Sequence, residues 1–240
     1  MSTTPAAAEQ YDRPEPELEH QLAGESGTPE PNRSDAVRVV ALGVLMFVSG
    51  AFLLAMFVSL ATGGSASPWG PINDLLSAAG NVLLAVLVPR LSSAAARTRG
   101  ARCFVRLIVG ASLLAAASSV LLVAGVLPFE RSTVISMVAI VLQCGWMAWL
   151  NTAWSRNPRF PRAIWRLGAG VGYGLLTGLG LVGASFLLPW GSVAANALLV
   201  PGVALGGVIW LVWPLWFVLL GRQLLHSAGA EPSAADPTDA

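Results

Sequence analysis

The residues best placed to do chemistry are Asp74, Ser77 and Asn81, spaced three and four apart. On a helix that spacing puts all three on one face. Gln143 and Asn151, eight residues apart, form a second set about two helical turns long. A carboxylate or amide inside an otherwise apolar helix is costly, and such groups face a cavity or one another. If the helices that carry the two sets are neighbours, these five residues line one polar seam able to pass a small solute or a proton. A plainer account stands beside that one. Asp74, in Pro71-Ile72-Asn73-Asp74, caps a helix end in water, while Asn81 and Gln143 are hydrogen-bond glue between helices.

Other chemistry is poorly supplied. His20 and His226 lie in an acidic leading segment and at the end of the last apolar run, so no histidine stands within the apolar segments to activate a serine. There is no pair of carboxylates, no metal-ligand cluster, no Walker-type phosphate loop and no dinucleotide fingerprint. Cys103 and Cys144 are too few and too far apart for a disulfide framework or a zinc site, and read as unpaired, inert thiols. A net charge of +1 and short basic stretches offer no nucleic-acid surface. The expectation is a protein that is not an enzyme and holds neither metal nor cofactor.

The elements that must position these residues follow from composition. Hydrophobic residues make up 55% of the 240 and charged residues 11%, where soluble domains carry about 25% charged residues. Eight of the 13 acidic residues fall within residues 1–35 and three more within the last ten, leaving Asp74 and Glu130 between. So few charges cannot cover a water-soluble fold, whereas lipid needs no such cover. Residues 1–35 carry two arginines against eight carboxylates and little apolar surface, and read as a disordered tail; residues 227–240 read as a second. The chain lacks a positively charged start followed by an early apolar stretch, so the first apolar span is expected to act as an uncleaved anchor.

Six apolar runs lie between the tails, at about 37–61, 72–88, 104–127, 133–154, 164–188 and 197–221. About 20 helical residues cross a hydrocarbon core of about 30 Å. The fold class expected is therefore all-α, a polytopic transmembrane helix bundle over residues 36–226. The second run is the shortest and carries Asn73, Asp74 and Asn81, so a re-entrant segment is its alternative. Arginine placement argues for a full span. All 14 basic residues are arginine, and six spans put every one except Arg131 on one side. Basic residues stay in the cytoplasm, which predicts a plasma-membrane protein with both termini cytoplasmic. The arginine loops are also suited to anionic lipid head groups.

Tryptophans agree with this layout: Trp69 and Trp190 flank spans on the outer side, Trp154 and Trp165 on the inner side. Gly170, Gly174 and Gly178 repeat every four residues, and Gly202 and Gly206 repeat that spacing in the last span. Such stripes suit close helix packing, within one subunit or in a homo-oligomer. Trp210, Trp213, Trp216 and Phe217 surround Pro214 and read as a lipid-facing aromatic patch, with a kinked gate as the alternative.

The stretch Trp213-Pro214-Leu215-Trp216-Phe217-Val218-Leu219-Leu220-Gly221-Arg222-Gln223-Leu224 resembles the closing segment of many uncharacterised multi-span membrane proteins of actinobacteria. Asn73-Asp74-Leu75-Leu76-Ser77, leading into a helix, resembles them too. The resemblance implies a bacterial plasma membrane and carries over no activity. The function expected is a scaffold, regulatory or accessory membrane protein, with a small-solute or ion transporter or channel as the alternative.

Overall fold

The computed structural model describes residues 32–156 and 160–229. Of the tails expected at residues 1–35 and 227–240, residues 1–31 and 230–240 lie outside them, while Arg33 to Asp35 and residues 227–229 belong to helices. Six helices follow one another: α1 (Arg33–Ala61), α2 (Trp69–Ser92), α3 (Arg99–Val123), α4 (Phe129–Trp154), α5 (Arg162–Ser185) and α6 (Val193–Gly229). All six are long and apolar enough to cross a membrane.

Local chemistry sets the ends, and moves several of them away from the apolar runs. The Asn32 side chain accepts from the Asp35 amide at 3.0 Å, so α1 starts at Arg33 rather than at the first apolar residue. Thr98 caps the Ala101 amide in the same way and starts α3 at Arg99. α3 ends before Pro128, because Gly125 takes φ 71° and lets the amides of Val126 and Leu127 turn back onto the Leu121 carbonyl. α2 runs through Pro89 to Ser92, since a proline in the last turn costs only one backbone hydrogen bond. α5 closes at Ser185, three residues short of the expected end. α6 continues past residue 221 to Gly229, about 55 Å for its 37 residues.

The close helix pairs are each helix with the next in sequence, plus α6 with α1. The bundle is thus a closed ring of antiparallel neighbours. Named contacts fix the alternation. Asp35 near the start of α1 pairs with Arg90 near the end of α2. Gly221 late in α6 lies on Val40 and Ala36 early in α1. The Trp216 indole donates to the Ile164 carbonyl at 3.1 Å. One end of the ring therefore gathers Arg33, Arg38, Arg90, Arg99, Arg102, Arg162 and Arg222, and is called the arginine end below.

Two corrections concern this end. Asp35, assigned by the sequence to the tail, is 5% exposed inside α1 and pairs with both Arg38 and Arg90. A carboxylate in a helix's first turn also meets the positive end of the helix dipole. The tryptophans of the last span are not a lipid-facing patch: Trp213, Trp216 and Phe217 are buried, because the face they share points into the ring. Trp154 likewise leaves the expected interfacial belt and stacks on Phe160, with ring centroids 4.2 Å apart. With Trp146, Met147, Leu150, Leu87 and Val88 these rings fill the arginine half of the ring. Two indoles of that plug are satisfied: Trp146 donates to Ser92 Oγ at 2.8 Å and Trp216 to the Ile164 carbonyl.

The glycine stripe of α5 is divided. A Cβ on Gly174 would strike Ile209, and one on Gly178 would lie 3.1 Å from Gly202 O and from the Gly206 backbone, so both serve the α5–α6 contact within the chain. A Cβ on Gly172 would lie 2.5 Å from the Ala148 nitrogen of α4, whereas one on Gly170 would meet nothing within 4 Å.

Candidate functional site

The half of the ring away from the arginine end is not filled. A cavity of about 320 Å³ lies there, lined by residues of α1, α2, α3, α4 and α6 but none of α5. Its size falls at the low end of known ligand sites, about 300–1,000 Å³. Asn73, Asp74, Phe129, Ser132 and Thr133 stand near the helix ends around its mouth, while Leu42, Leu84, Gln143, Trp213 and Pro214 lie deeper.

A chain of hydrogen bonds crosses the wall from helix to helix. Ser49 of α1 donates to Asn73 Oδ1 of α2 at 2.7 Å, and its oxygen lies 3.1 Å from the Ser77 hydroxyl. One turn deeper, Asn81 Nδ2 donates to the Ser77 carbonyl at 2.9 Å. Gln143 of α4 then donates through Nε2 to Asn81 Oδ1 at 2.8 Å and to Ser112 Oγ of α3 at 3.0 Å. Four helices are joined in this way, and the amides of Asn73, Asn81 and Gln143 each have a partner, as low-dielectric surroundings require.

Asp74, Ser77, Asn81 and Gln143 thus share one cavity, although their helices α2 and α4 are not a close pair. The seam crosses the ring interior between helices facing each other, rather than running along a helix contact. Asn151, the fifth candidate, is elsewhere. It is fully buried toward the arginine end, its Nδ2 donates to the Met147 carbonyl at 2.9 Å, and Gly168 makes room for its amide against α5. Its Oδ1 is without a partner among the described residues.

No protein-family model, no curated protein and no solved structure matches this chain. The site's own chemistry must carry the reading. Its wall holds one ionisable side chain, Asp74, which sits beside the Asn73 amide and in no ion pair among the described residues. Among the described residues no three His, Cys, Asp or Glu side chains gather as metal ligands. The wall offers hydroxyls and amides for orientation, two indoles and several aliphatic side chains for contact, and no nucleophile paired with a base.

Sequence reasoning missed Ser49, Ser112 and Trp213. A single serine in an apolar helix carries almost no signal, because it hides its hydroxyl on its own helix as readily as it reaches another. Trp213 was hidden by its neighbours: a helix that is apolar all round gives no indication of which face turns inward.

Proposed function

We propose that the chain is an integral plasma-membrane protein with the arginine end in the cytoplasm, and that its cavity is a vestibule open to the outside which binds a small solute. In this reading it belongs to the transporter class, and the bound molecule is moved or sensed rather than chemically changed. The observation that carries the reading is the hydrogen-bonded set Ser49, Asn73, Ser77, Asn81, Gln143 and Ser112 beside one cavity. Simple helix glue would need no open volume next to it. The expected placement of 13 of 14 arginines on one side of six spans supports the orientation, and those arginines would meet anionic head groups of the inner leaflet.

A scaffold or accessory role has its own observation. Between α2 and α3 the outer surface bears a shallow, wholly apolar groove floored by Ala78, Ala79, Ala116 and Ala117. Small side chains of this kind let another membrane helix approach closely.

Cysteine labelling separates the two. In a Cys103→Ser background, Ser136→Cys on the cavity wall is expected to react with a membrane-impermeant maleimide added outside intact cells. Ala94→Cys, at the arginine end, is expected to react only after permeabilisation. A Ser136→Cys thiol that labels only once the protein is denatured would remove the vestibule and leave the accessory role. Labelling of Ala94→Cys from outside would reverse the orientation.

A further inference from the structure

We infer that the occupant of the cavity is a small organic cation with an apolar body, its charge held by Asp74 and its body resting toward Trp210 and Trp213. This inference rests on the vestibule reading above and adds the ligand's chemical class.

The polar groups of the wall divide into those already satisfied and those that are not. Ser49, Asn73, Ser77, Asn81 and Gln143 are bonded to one another, and Gln143 also to Ser112 beside the wall, so they need nothing from a ligand and give the wall its shape. Ser132 and Thr133 donate to the carbonyls of Ser118 and Phe129, and Ser119 and Ser136 are neutral hydroxyls, which leaves Asp74 as the charged group and Trp213 as the buried donor without a partner among the described residues. Asp74 is the sole ionisable group on the wall, and a neutral amide is its neighbour. A carboxylate so near lipid is expensive unless a counter-charge meets it. Glu130 and Arg131 beside the mouth are both exposed and of opposite sign, so they add no net charge there.

Trp213 is 2% exposed, lines the cavity, and its Nε1 has no acceptor among the described residues. Buried indoles normally find one. Trp210 meets it edge-to-face, with centroids 5.4 Å apart and planes at 86°, so the pair presents both a ring face and a ring edge. Tryptophan faces are the best aromatic surface for a cation or an apolar body. Between Asp74 and the level of Leu84, α2 rises about 15 Å over ten residues, and Met46, Leu76, Ala115 and Ile140 line that depth. A hydrated inorganic ion would leave this apolar length unused, and an anion would face Asp74 with no basic residue on the wall.

Three probes of one shape test the inference on purified full-length protein in nanodiscs: phenylethylammonium, neutral 2-phenylethanol and anionic 3-phenylpropionate, each titrated by intrinsic tryptophan fluorescence. The ammonium is expected to bind at least tenfold more tightly than the alcohol, and the carboxylate more weakly still. Asp74→Asn is expected to bring ammonium and alcohol within twofold of each other. Trp213→Phe is expected to shrink the fluorescence change while the far-ultraviolet helix signal stays. Equal binding of ammonium and alcohol to the unaltered protein, or a preference that survives Asp74→Asn, overturns the cation and leaves the vestibule standing. Absence of binding by all three overturns the inference. If Ser136→Cys also fails to label, the vestibule falls with it.

Discussion

Alanine at Gly172 and at Gly170 should have opposite effects, although the two glycines are two residues apart on α5. Either change gains about 1 kcal/mol of helix propensity. At Gly170 nothing lies within 4 Å of the new Cβ, so that gain stands alone. At Gly172 the Cβ would lie 2.5 Å from Ala148 N, 2.8 Å from Cys144 O and 2.9 Å from Ala148 Cα. These are main-chain atoms of α4, which cannot rotate aside as a side chain would. Overpacking costs about 1–3 kcal/mol, and a rigid obstacle puts this case at the upper end. The net is a loss of about 2 kcal/mol at Gly172 against a gain of about 1 kcal/mol at Gly170. That difference of about 3 kcal/mol is roughly two orders of magnitude in the unfolding constant. Reversible unfolding in mixed micelles, followed by far-ultraviolet circular dichroism, measures both. Variants within 1 kcal/mol of each other would refute the close α4–α5 approach. A loss at Gly170 would mean that its open face is covered, as it would be by a second copy of the chain.

Two further outcomes concern the arginine half. Ser92→Ala strands the fully buried Trp146 indole and should cost about 1–3 kcal/mol, with Trp146→Phe added on top costing less than it does alone. Asp35→Asn should cost about 1–2 kcal/mol, less than a fully buried pair, because the Arg90 side chain is 44% exposed and screened by water. The unaltered protein should lose part of this difference in high salt, and a salt-independent difference would argue that the ion pair is not its source.

Much of the fold was legible because a chain suited to lipid obeys a severe rule. Every backbone amide must be satisfied inside its own helix, so six long apolar runs translate into six helices with little ambiguity. The ends were less legible, because they depend on single capping groups. Asn32 and Thr98 extend helices into polar sequence, and Gly125 closes one early. Asp35 shows the cost of judging a residue by the composition of its neighbours: it sits among acidic tail residues in sequence and is buried in the clamp between α1 and α2. At the site, the three-and-four spacing of Asp74, Ser77 and Asn81 marked one face of α2, and a lone mid-helix glutamine marked α4. Which helices face each other is a property of the ring, and no local pattern encodes it. Asn151 had the same residue type and plausible spacing, yet it faces α5, where Gly168 receives it.

The two halves of the ring differ in a way that bears on the proposed vestibule. Toward its mouth the wall consists of mutually bonded polar groups around open volume. Below it, Trp146, Trp216, Phe217, Met147 and Leu150 are fully buried, so no path continues to the arginine end in this conformation. Passage across the ring would require that plug to separate. The bonds Asp35–Arg90 and Trp146–Ser92, together with the α1–α6 contact at Gly43 and Gly221, are the joints that would open. Binding or sensing would need none of this, since a solute would enter and leave by the mouth while the plug stays whole. The alternatives therefore differ in where flexibility must reside. A transporter would need α1 to leave α2 and α6 at the arginine end, and with it the buried Ala36, Val39 and Leu42 to leave the plug. A sensor needs that end to stay rigid, so that occupancy of the cavity can be felt by the arginine loops.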